Sequence, residues 1–139
     1  GGLCPGYDFE RGKVMAKQPI VLIAEDDQDV RMNIRLFLEA NGFQCIEAVD
    51  GAETITQAKS EKPDLILLDV MMPRLNGYQV CKSLKDDPDM RSIPILILSA
   101  KAQEADIYWG ERVGADGYIT KPFEFEDLEN QIRKLIKNG

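Results

Sequence analysis

Asp69 is the residue whose setting most strongly suggests chemistry. It ends the apolar run Leu65–Leu68 in the stretch PDLILLDVMMP, and the continuous hydrophobicity of that run is typical of a strand buried on both faces. A carboxylate in such a place loses its hydration, so it needs nearby cations or hydrogen-bond donors to stay ionised. Such a residue is either tolerated by the fold or is the centre of a functional site.

Chemically useful side chains also follow three other apolar runs: Glu25, Asp26 and Asp27 after Ile20–Ala24, Ser99 after the ILIL run, and Lys121 after Gly117–Thr120. The carboxyl ends of neighbouring parallel strands meet at one edge of a sheet, and ligands bind there near the point where strand order reverses. We therefore expect these side chains to converge in one pocket. We expect Asp29, by contrast, to be an acidic residue at the N-terminus of the helix that follows, where the helix dipole stabilises its charge.

The chemistry of this pocket follows from its charges. Carboxylates that lie close together repel one another unless a cation intervenes. Because the chain has no histidine and no suitably placed cysteine, hard oxygen ligands favour Mg²⁺ over a softer metal. With Mg²⁺ and Lys121 nearby, Asp69 can stay ionised and accept a phosphoryl group as an aspartyl-phosphate. Lys121 would then neutralise the transferring group, and Ser99 would hydrogen-bond one of its oxygens.

Five repeats of a strand followed by a helix position these residues. The predicted strands are Ile20–Ala24, Gln44–Ala48, Leu65–Leu68, 95–98 and Gly117–Thr120, and the predicted helices begin near Asp29, Ala52, Gly77, Ala102 and Leu128. This alternation predicts an α/β fold with a doubly wound, five-stranded parallel sheet of order 2-1-3-4-5. Five helices cover its two faces and complete a three-layer sandwich. The half-polar strand Gln44–Ala48 is expected at an edge.

Composition bounds the class of protein. The 139 residues, 44% hydrophobic and 29% charged, suit one globular domain, and the net charge of −7 argues against direct nucleic-acid binding. No apolar run reaches the roughly 20 residues of a membrane helix. The three cysteines are widely spaced and odd in number, which argues against a disulfide framework and favours the cytoplasm. We assign residues 1–18 to a native arm or an added segment, and residues 19–139 to the domain.

Four motifs, VLIAEDDQDVR, DLILLDVMMPRLNG, ILILSA and GADGYITKPF, resemble in order and spacing the signatures of response-regulator receiver domains. The resemblance runs from Pro19 to about Lys137 and implies a flavodoxin-like fold, similar to chemotaxis regulators, in a two-component phosphorelay. It implies that Asp69 is the phosphoacceptor, served by a sensor histidine kinase or phosphotransferase domain. It also implies that Asp26 binds Mg²⁺ directly and Glu25 binds it through water, with the Met71 backbone carbonyl as a further ligand.

The resemblance further implies a conformational switch. Ser99 and Lys121 match the family's switch hydroxyl and lysine, and Tyr118 resembles the aromatic residue that turns inward when Ser99 closes on the phosphoryl group. The surface of the fourth helix, fifth strand and fifth helix would then control a downstream effector protein or domain, without contacting a membrane. Gly117 and Gln131 depart from the acid and arginine of the transcription-factor class, which favours a monomer or a weak phosphorylation-dependent dimer.

Two other functions stay open on the residues alone. A Mg²⁺-dependent phosphatase or phosphotransferase on the same fold would need an acid two residues after Asp69, where Met71 stands. A flavin-binding electron carrier would need a phosphate-binding loop rich in Ser and Thr after the first strand, which this sequence lacks. We therefore expect a self-phosphorylating switch and not a turnover enzyme.

Overall fold

A computed structural model describes residues 7–8, 13–14, 18–69, 77–99, 114–120 and 122–138 of the chain. Its strands, in chain order, are β1 Tyr7–Asp8, β2 Lys13–Val14, β3 Ile20–Ala24, β4 Gln44–Ala48, β5 Leu65–Asp69, β6 Ile95–Ser99 and β7 Gly117–Thr120. The described helices are α1 Gln28–Ala40, α2 Gly51–Glu61, α3 Gly77–Asp86 and α4 Phe125–Asn138. The last of these is called the C-terminal helix below.

The strands from β3 to β7 form one parallel sheet in the order β4-β3-β5-β6-β7. Counted from β3, this is the predicted order 2-1-3-4-5. The half-polar strand β4 lies at an edge, whereas β5 lies in the centre and is buried at every position. The doubly wound parallel sheet is therefore confirmed, because only central strands need apolar residues on both faces.

The two faces of the sheet are covered by separate apolar layers. One face packs against α2 and α3 in a cluster, called here the α2–α3 layer, that includes Leu22, Leu68, Ile97, Ala58 and Val80. The other face packs against α1 and the C-terminal helix in a cluster that includes Val21, Leu67, Leu98, Ile34 and Leu128. Since successive strand residues point to opposite faces, continuous apolar runs fill both layers of the three-layer sandwich.

The structure departs from the predicted elements in two respects. Five helices were predicted and the described residues contain four, because the predicted helix over 102–114 lies outside them apart from Gly114. The strand ends also differ by one residue: Asp69 and Ser99, predicted to follow their strands, are the last residues of β5 and β6. Their backbones still pair with Leu98 and Thr120 of the neighbouring strands, so the sheet itself holds both residues.

Two further features bear on the class of the chain. No element was assigned before Ile20, but β1 and β2 form an antiparallel pair, with Tyr7 opposite Val14, in a sheet separate from the parallel one. Among the described residues, no helix combines the length and the apolar composition that crossing a membrane requires.

Candidate functional site

The carboxyl ends of β3 and β5 lie side by side. Ala24, the last residue of β3, pairs with Leu68 of β5. Glu25, which follows β3, and Asp69, which ends β5, therefore lie side by side where the carboxyl ends of the strands meet. On the other side of β5, Asp69 pairs with Leu98, and Ser99 follows one residue later. The sheet therefore brings the backbones of Glu25, Asp69 and Ser99 together at one edge.

Glu25 and Asp69 are both removed from solvent, with 2% and 1% of their surface exposed. Asp26, the neighbour of Glu25 in the chain, is exposed instead. Buried ionised carboxylates need a cation or hydrogen-bond donors beside them, because the protein interior replaces little of their lost hydration. Two such residues on adjacent strand ends favour a functional role for this edge of the sheet.

Hydrogen bonds fix the acidic turn, defined here as Glu25–Asp27. The Glu25 N–H donates to the Ala48 carbonyl of β4 at 3.0 Å, and Glu25 Oε2 accepts from the Asp27 N–H at 3.2 Å. Asp27 is the N-cap of α1, since its Oδ1 accepts from the N–H groups of Asp29 and Val30 at 2.9 and 3.1 Å. The N-cap position is therefore that of Asp27, while Asp29 has the role predicted for it, that of an acidic residue at the start of the helix. Asp29 lies in the first turn, where its negative charge interacts favourably with the positive end of the helix dipole.

Arg31, in the first turns of α1, connects the acidic turn to the edge strand. Its Nη1 donates to the Glu25 carbonyl oxygen at 2.8 Å, and its Nε donates to Glu47 Oε1 of β4 at 2.7 Å. Arg35, one turn further along α1, also binds Glu47. Desolvation acts to raise the pKa of Glu47, but the hydrogen bonds from Arg31 and Arg35 hold that pKa below its ordinary value.

Sequence reasoning missed this charged network. The available signal was a single glutamate, Glu47, in a half-polar edge strand, together with Arg31 and Arg35 at a helical spacing of four residues. That pattern is compatible with ordinary surface charges. Only the packing of α1 beside β4 gives the three side chains a common contact.

The carboxylate oxygens at the carboxyl ends of β3 and β5 suit Mg²⁺, although the three acidic side chains do not form the compact group that the sequence predicted. In the part of the chain that the structure describes, no three His, Cys, Asp or Glu side chains are arranged to hold a metal ion. Glu25 and Asp69 are buried while Asp26 is exposed. Mg²⁺ binds through one or two carboxylates and keeps several waters, so this all-oxygen set is compatible with it.

The described cysteines do not compete for this chemistry. Burial raises the pKa of the Cys81 thiol to about 12, and burial together with nearby Glu39 raises that of Cys45 to about 12. Both thiols are therefore protonated near neutral pH, which makes them poor nucleophiles and poor metal ligands. The carboxylates are therefore the candidate reactive groups at the described part of the site.

Three of the predicted site groups lie outside the described part of the chain, namely Lys121, Met71 and the side chain of Ser99. Tyr118 of β7 is described and half-buried, and it packs against the α2–α3 layer. It also borders a cavity of about 450 Å³ between β7 and the C-terminal helix, whose lining includes Asp127. Tyr118 therefore packs against the core and also lines a surface cavity.

The sequence matches the family model of the response regulator receiver domain over residues 21–133. This match covers most of the 139 residues of the chain. It includes the acidic turn, Asp69 and Tyr118, so every described residue of the candidate site lies within it.

Curated relatives agree with this match. The alkaline phosphatase synthesis transcriptional regulatory protein PhoP of Bacillus subtilis is 39% identical over 119 residues, which are 86% of this chain and 49% of PhoP. Protein PilH of Pseudomonas aeruginosa is 37% identical over 116 residues, which are 84% of this chain and 96% of PilH. The chain thus spans about half the length of PhoP and nearly all of PilH.

Solved structures share the fold. The chemotaxis response regulator CheY4 of Vibrio cholerae has a TM-score of 0.79 and 28% identity, covering 86% of this chain and 99% of that one. The receiver domain of the sensor histidine kinase PA1611 of Pseudomonas aeruginosa, solved with a magnesium ion coordinated in its active site cleft, has a TM-score of 0.78 and 26% identity, covering 86% and 98%. These matches do not favour the phosphatase alternative. The chain belongs to the response regulator receiver domain family, the phosphoryl-accepting domains of two-component signalling.

Proposed function

We propose that Asp69 accepts a phosphoryl group from a sensor histidine kinase or phosphotransferase domain. An Asp69 carboxylate oxygen forms a bond to phosphorus while the bond from phosphorus to the donor atom breaks. The observation that carries this proposal is the burial of Asp69, 1% exposed, at the carboxyl end of the central strand. Pairing with β6 holds its backbone, so little freedom is lost when the carboxylate is aligned with phosphorus.

The same proposal assigns Mg²⁺ to Glu25, Asp26, Asp69 and the Met71 backbone carbonyl, with Asp26 as a direct ligand and Glu25 acting through water. When bound, Mg²⁺ supplies positive charge that offsets the negative charge of the transferring group. The contribution of the chain is to hold the carboxylates in place through the hydrogen bonds of the acidic turn. The magnesium ion described in the cleft of the PA1611 receiver domain supports this assignment.

Ser99 and Lys121 are proposed to bind oxygens of the phosphoryl group, and Tyr118 to respond to the movement of Ser99. This response favours one of two conformations, because a group shifts an equilibrium only by interacting differently with its two states. The contacts of Tyr118 with both the α2–α3 layer and the surface cavity support such a role. The affected surface would comprise β7, the C-terminal helix and the helix predicted over 102–114, and it would act on a downstream effector protein or domain.

The wider setting is part of the proposal. Cys45 and Cys81 are free thiols, which suits the reducing cytoplasm. We place the domain there as a monomer or a weak phosphorylation-dependent dimer. The domain acts as a switch that is phosphorylated once per signal and does not turn over substrate continuously.

The acceptor assignment is tested with a small acyl phosphate, Mg²⁺ and intact-mass measurement of three proteins: wild type, Asp69→Asn and Asp64→Asn. Asp64 is a matched control because it precedes β5 at its other end, where its Oδ2 accepts from the Ile20 N–H at 2.7 Å. We expect wild type and Asp64→Asn to gain one phosphoryl group and Asp69→Asn to gain none. Thermal melts verify that all three proteins are folded.

Two results would contradict the proposal. If Asp69→Asn gained as much mass as wild type, another residue would be the acceptor. If wild type hydrolysed many equivalents of a phosphate ester per chain, the switch would have to be replaced by a turnover enzyme.

A further inference from the structure

We propose that Arg31 is a positioning residue that fixes the acidic turn and thereby sets the Mg²⁺ affinity of the site. This inference rests on the proposed function, since it concerns the proposed ligands Glu25 and Asp26. In the structure Arg31 binds the backbone and not the carboxylate of Glu25. Its effect on the metal would therefore be indirect, through the shape of the turn.

Arg31 is well placed to hold two segments at once. Its side chain is 13% exposed, and its guanidinium donates from Nη1 to the Glu25 carbonyl and from Nε to Glu47. Both contacts are short and charge-assisted, because the guanidinium donor is charged, and the contact with Glu47 also has a charged acceptor, so they are stronger than hydrogen bonds between neutral groups. The planar guanidinium thus links the acidic turn to β4 in a fixed geometry.

With Arg31 in place, the acidic turn is fixed on both sides of Asp26. Before it, the N–H of Glu25 is bound to Ala48 and its carbonyl to Arg31. After it, Asp27 is held by its N–H bond to the Glu25 side chain and by its cap of α1. The exposed carboxylate of Asp26 is therefore presented from a backbone with little freedom, and such preorganisation favours ion binding.

Removing Arg31 would release the Glu25 carbonyl from its fixed donor and let the acidic turn adopt other conformations. A purely electrostatic role predicts the opposite effect on metal binding, because loss of a positive charge near a divalent cation site strengthens the attraction for Mg²⁺. The direction of the change in Mg²⁺ affinity therefore separates a positioning role from a simple effect of charge.

Arg35 provides a matched control on the same helix. It carries the same charge and also binds Glu47, but the other ion pair of its side chain in the described part of the chain is with Glu39, at 3.3 Å. The acidic turn is contacted by Arg31 and not by Arg35 among the described hydrogen bonds. Arg35→Met thus removes a charge and a Glu47 contact while leaving the Glu25 carbonyl bound.

The test compares wild type, Arg31→Met, Arg31→Lys and Arg35→Met in the full chain. Mg²⁺ affinity is measured by calorimetry, and hydrogen exchange of the Glu25 and Asp27 amides is measured in metal-free protein. We expect Arg31→Met to weaken Mg²⁺ binding by roughly tenfold or more, as loss of outer-shell partners does in other metal sites. We expect Arg35→Met to stay within about twofold of wild type, and the two amides to exchange faster in Arg31→Met but not in Arg35→Met.

Arg31→Lys keeps the charge but replaces the planar guanidinium, whose separate nitrogens face the two acceptors, by a single nitrogen on a flexible stem, so we expect weakened Mg²⁺ binding in this variant as well. Equal effects of Arg31→Met and Arg35→Met, or tighter Mg²⁺ binding by Arg31→Met, would overturn the proposal. If Arg31→Met does not fold, wild-type affinity in Arg31→Lys would overturn it. Wild type that bound no Mg²⁺ would instead refute the proposed function, while hydrogen exchange would still decide whether Arg31 holds the turn.

Discussion

Two buried carboxylates, Glu25 and Asp69, dominate the site at the scale of single residues. Each has lost its hydration, and because Glu25 directly follows β3 and Asp69 ends the neighbouring β5, like charges at these two positions repel each other. Asp26 is exposed and incurs neither penalty to the same degree. Adjacent residues of one acidic turn therefore differ in what their charge does to the stability of the metal-free protein.

We expect Glu25→Gln to raise the free energy of unfolding of the metal-free protein by about 1 kcal/mol. Glutamine keeps an acceptor oxygen for the Asp27 N–H and removes the buried charge. The variant should lose most of the stabilisation that added Mg²⁺ gives to wild type, since a ligand stabilises the folded state it binds. Urea denaturation with and without Mg²⁺ measures both effects.

Asp26→Asn is the control for this prediction. Because Asp26 is exposed, its substitution should change metal-free stability by no more than about 0.5 kcal/mol, while the response to Mg²⁺ is lost as in Glu25→Gln. A Glu25→Gln variant that was less stable than wild type without metal, yet fully stabilised by Mg²⁺, would contradict the role given to Glu25.

At the scale of elements, a charged network joins α1 to the edge strand β4. Glu47 of β4 lies between Arg31 and Arg35 of α1, and its side chain is 29% exposed. Partial burial and two donors make these pairs stronger than an isolated surface ion pair.

We expect Glu47→Gln to lower the free energy of unfolding at neutral pH by about 1 kcal/mol. The folded-state pKa of Glu47 lies below its ordinary value of 4.5, so the ionised carboxylate contributes stability above that pH. This contribution disappears as the pH falls through the folded-state pKa, and the gap between wild type and variant should close. Urea denaturation across this pH range measures the gap, and a gap that stays constant would contradict the assignment.

At the scale of the whole molecule, the sheet and its two apolar layers form the platform of the site. The first interstrand hydrogen bond of this platform comes from the Gln44 N–H to the Pro19 carbonyl at 2.9 Å. The antiparallel pair β1 and β2 belongs to a separate sheet. We therefore infer that residues 19–139 are the receiver domain and that residues 1–18 are a native arm or an added segment outside it.

Deletion of residues 1–18 tests this boundary. We expect the shortened chain to keep its melting temperature within about 2 °C and to accept a phosphoryl group as wild type does, because no strand of the parallel sheet is lost. Differential scanning calorimetry and intact-mass measurement check the two properties. A large fall in melting temperature would mean that the arm is part of the domain.

The sequence by itself determined the order of the elements from β3 onwards, the arrangement of the parallel sheet and the group of strand ends at which the candidate site lies. Apolar runs such as Leu65–Leu68 have one stable location, between two layers of helices, and parallel pairing then brings their carboxyl ends to one edge. The predicted ends of β5 and β6 came one residue too early, before Asp69 and Ser99. The apolar run ends there, but the backbone pairing between strands continues for one more residue.

Only the tertiary structure decided the arrangement of the acidic turn. Glu25 is buried, Asp26 is exposed and Asp27 caps α1, although the three side chains are chemically alike. The burial and the hydrogen bonds of these residues depend on partners distant in the sequence, such as the Ala48 carbonyl and the Arg31–Glu47 contact. These partners are in place only after β4 and α1 have packed beside β3. Hydrophobic pattern is a local property of the chain, whereas hydrogen-bond partners beyond a strand end are set by the assembled fold.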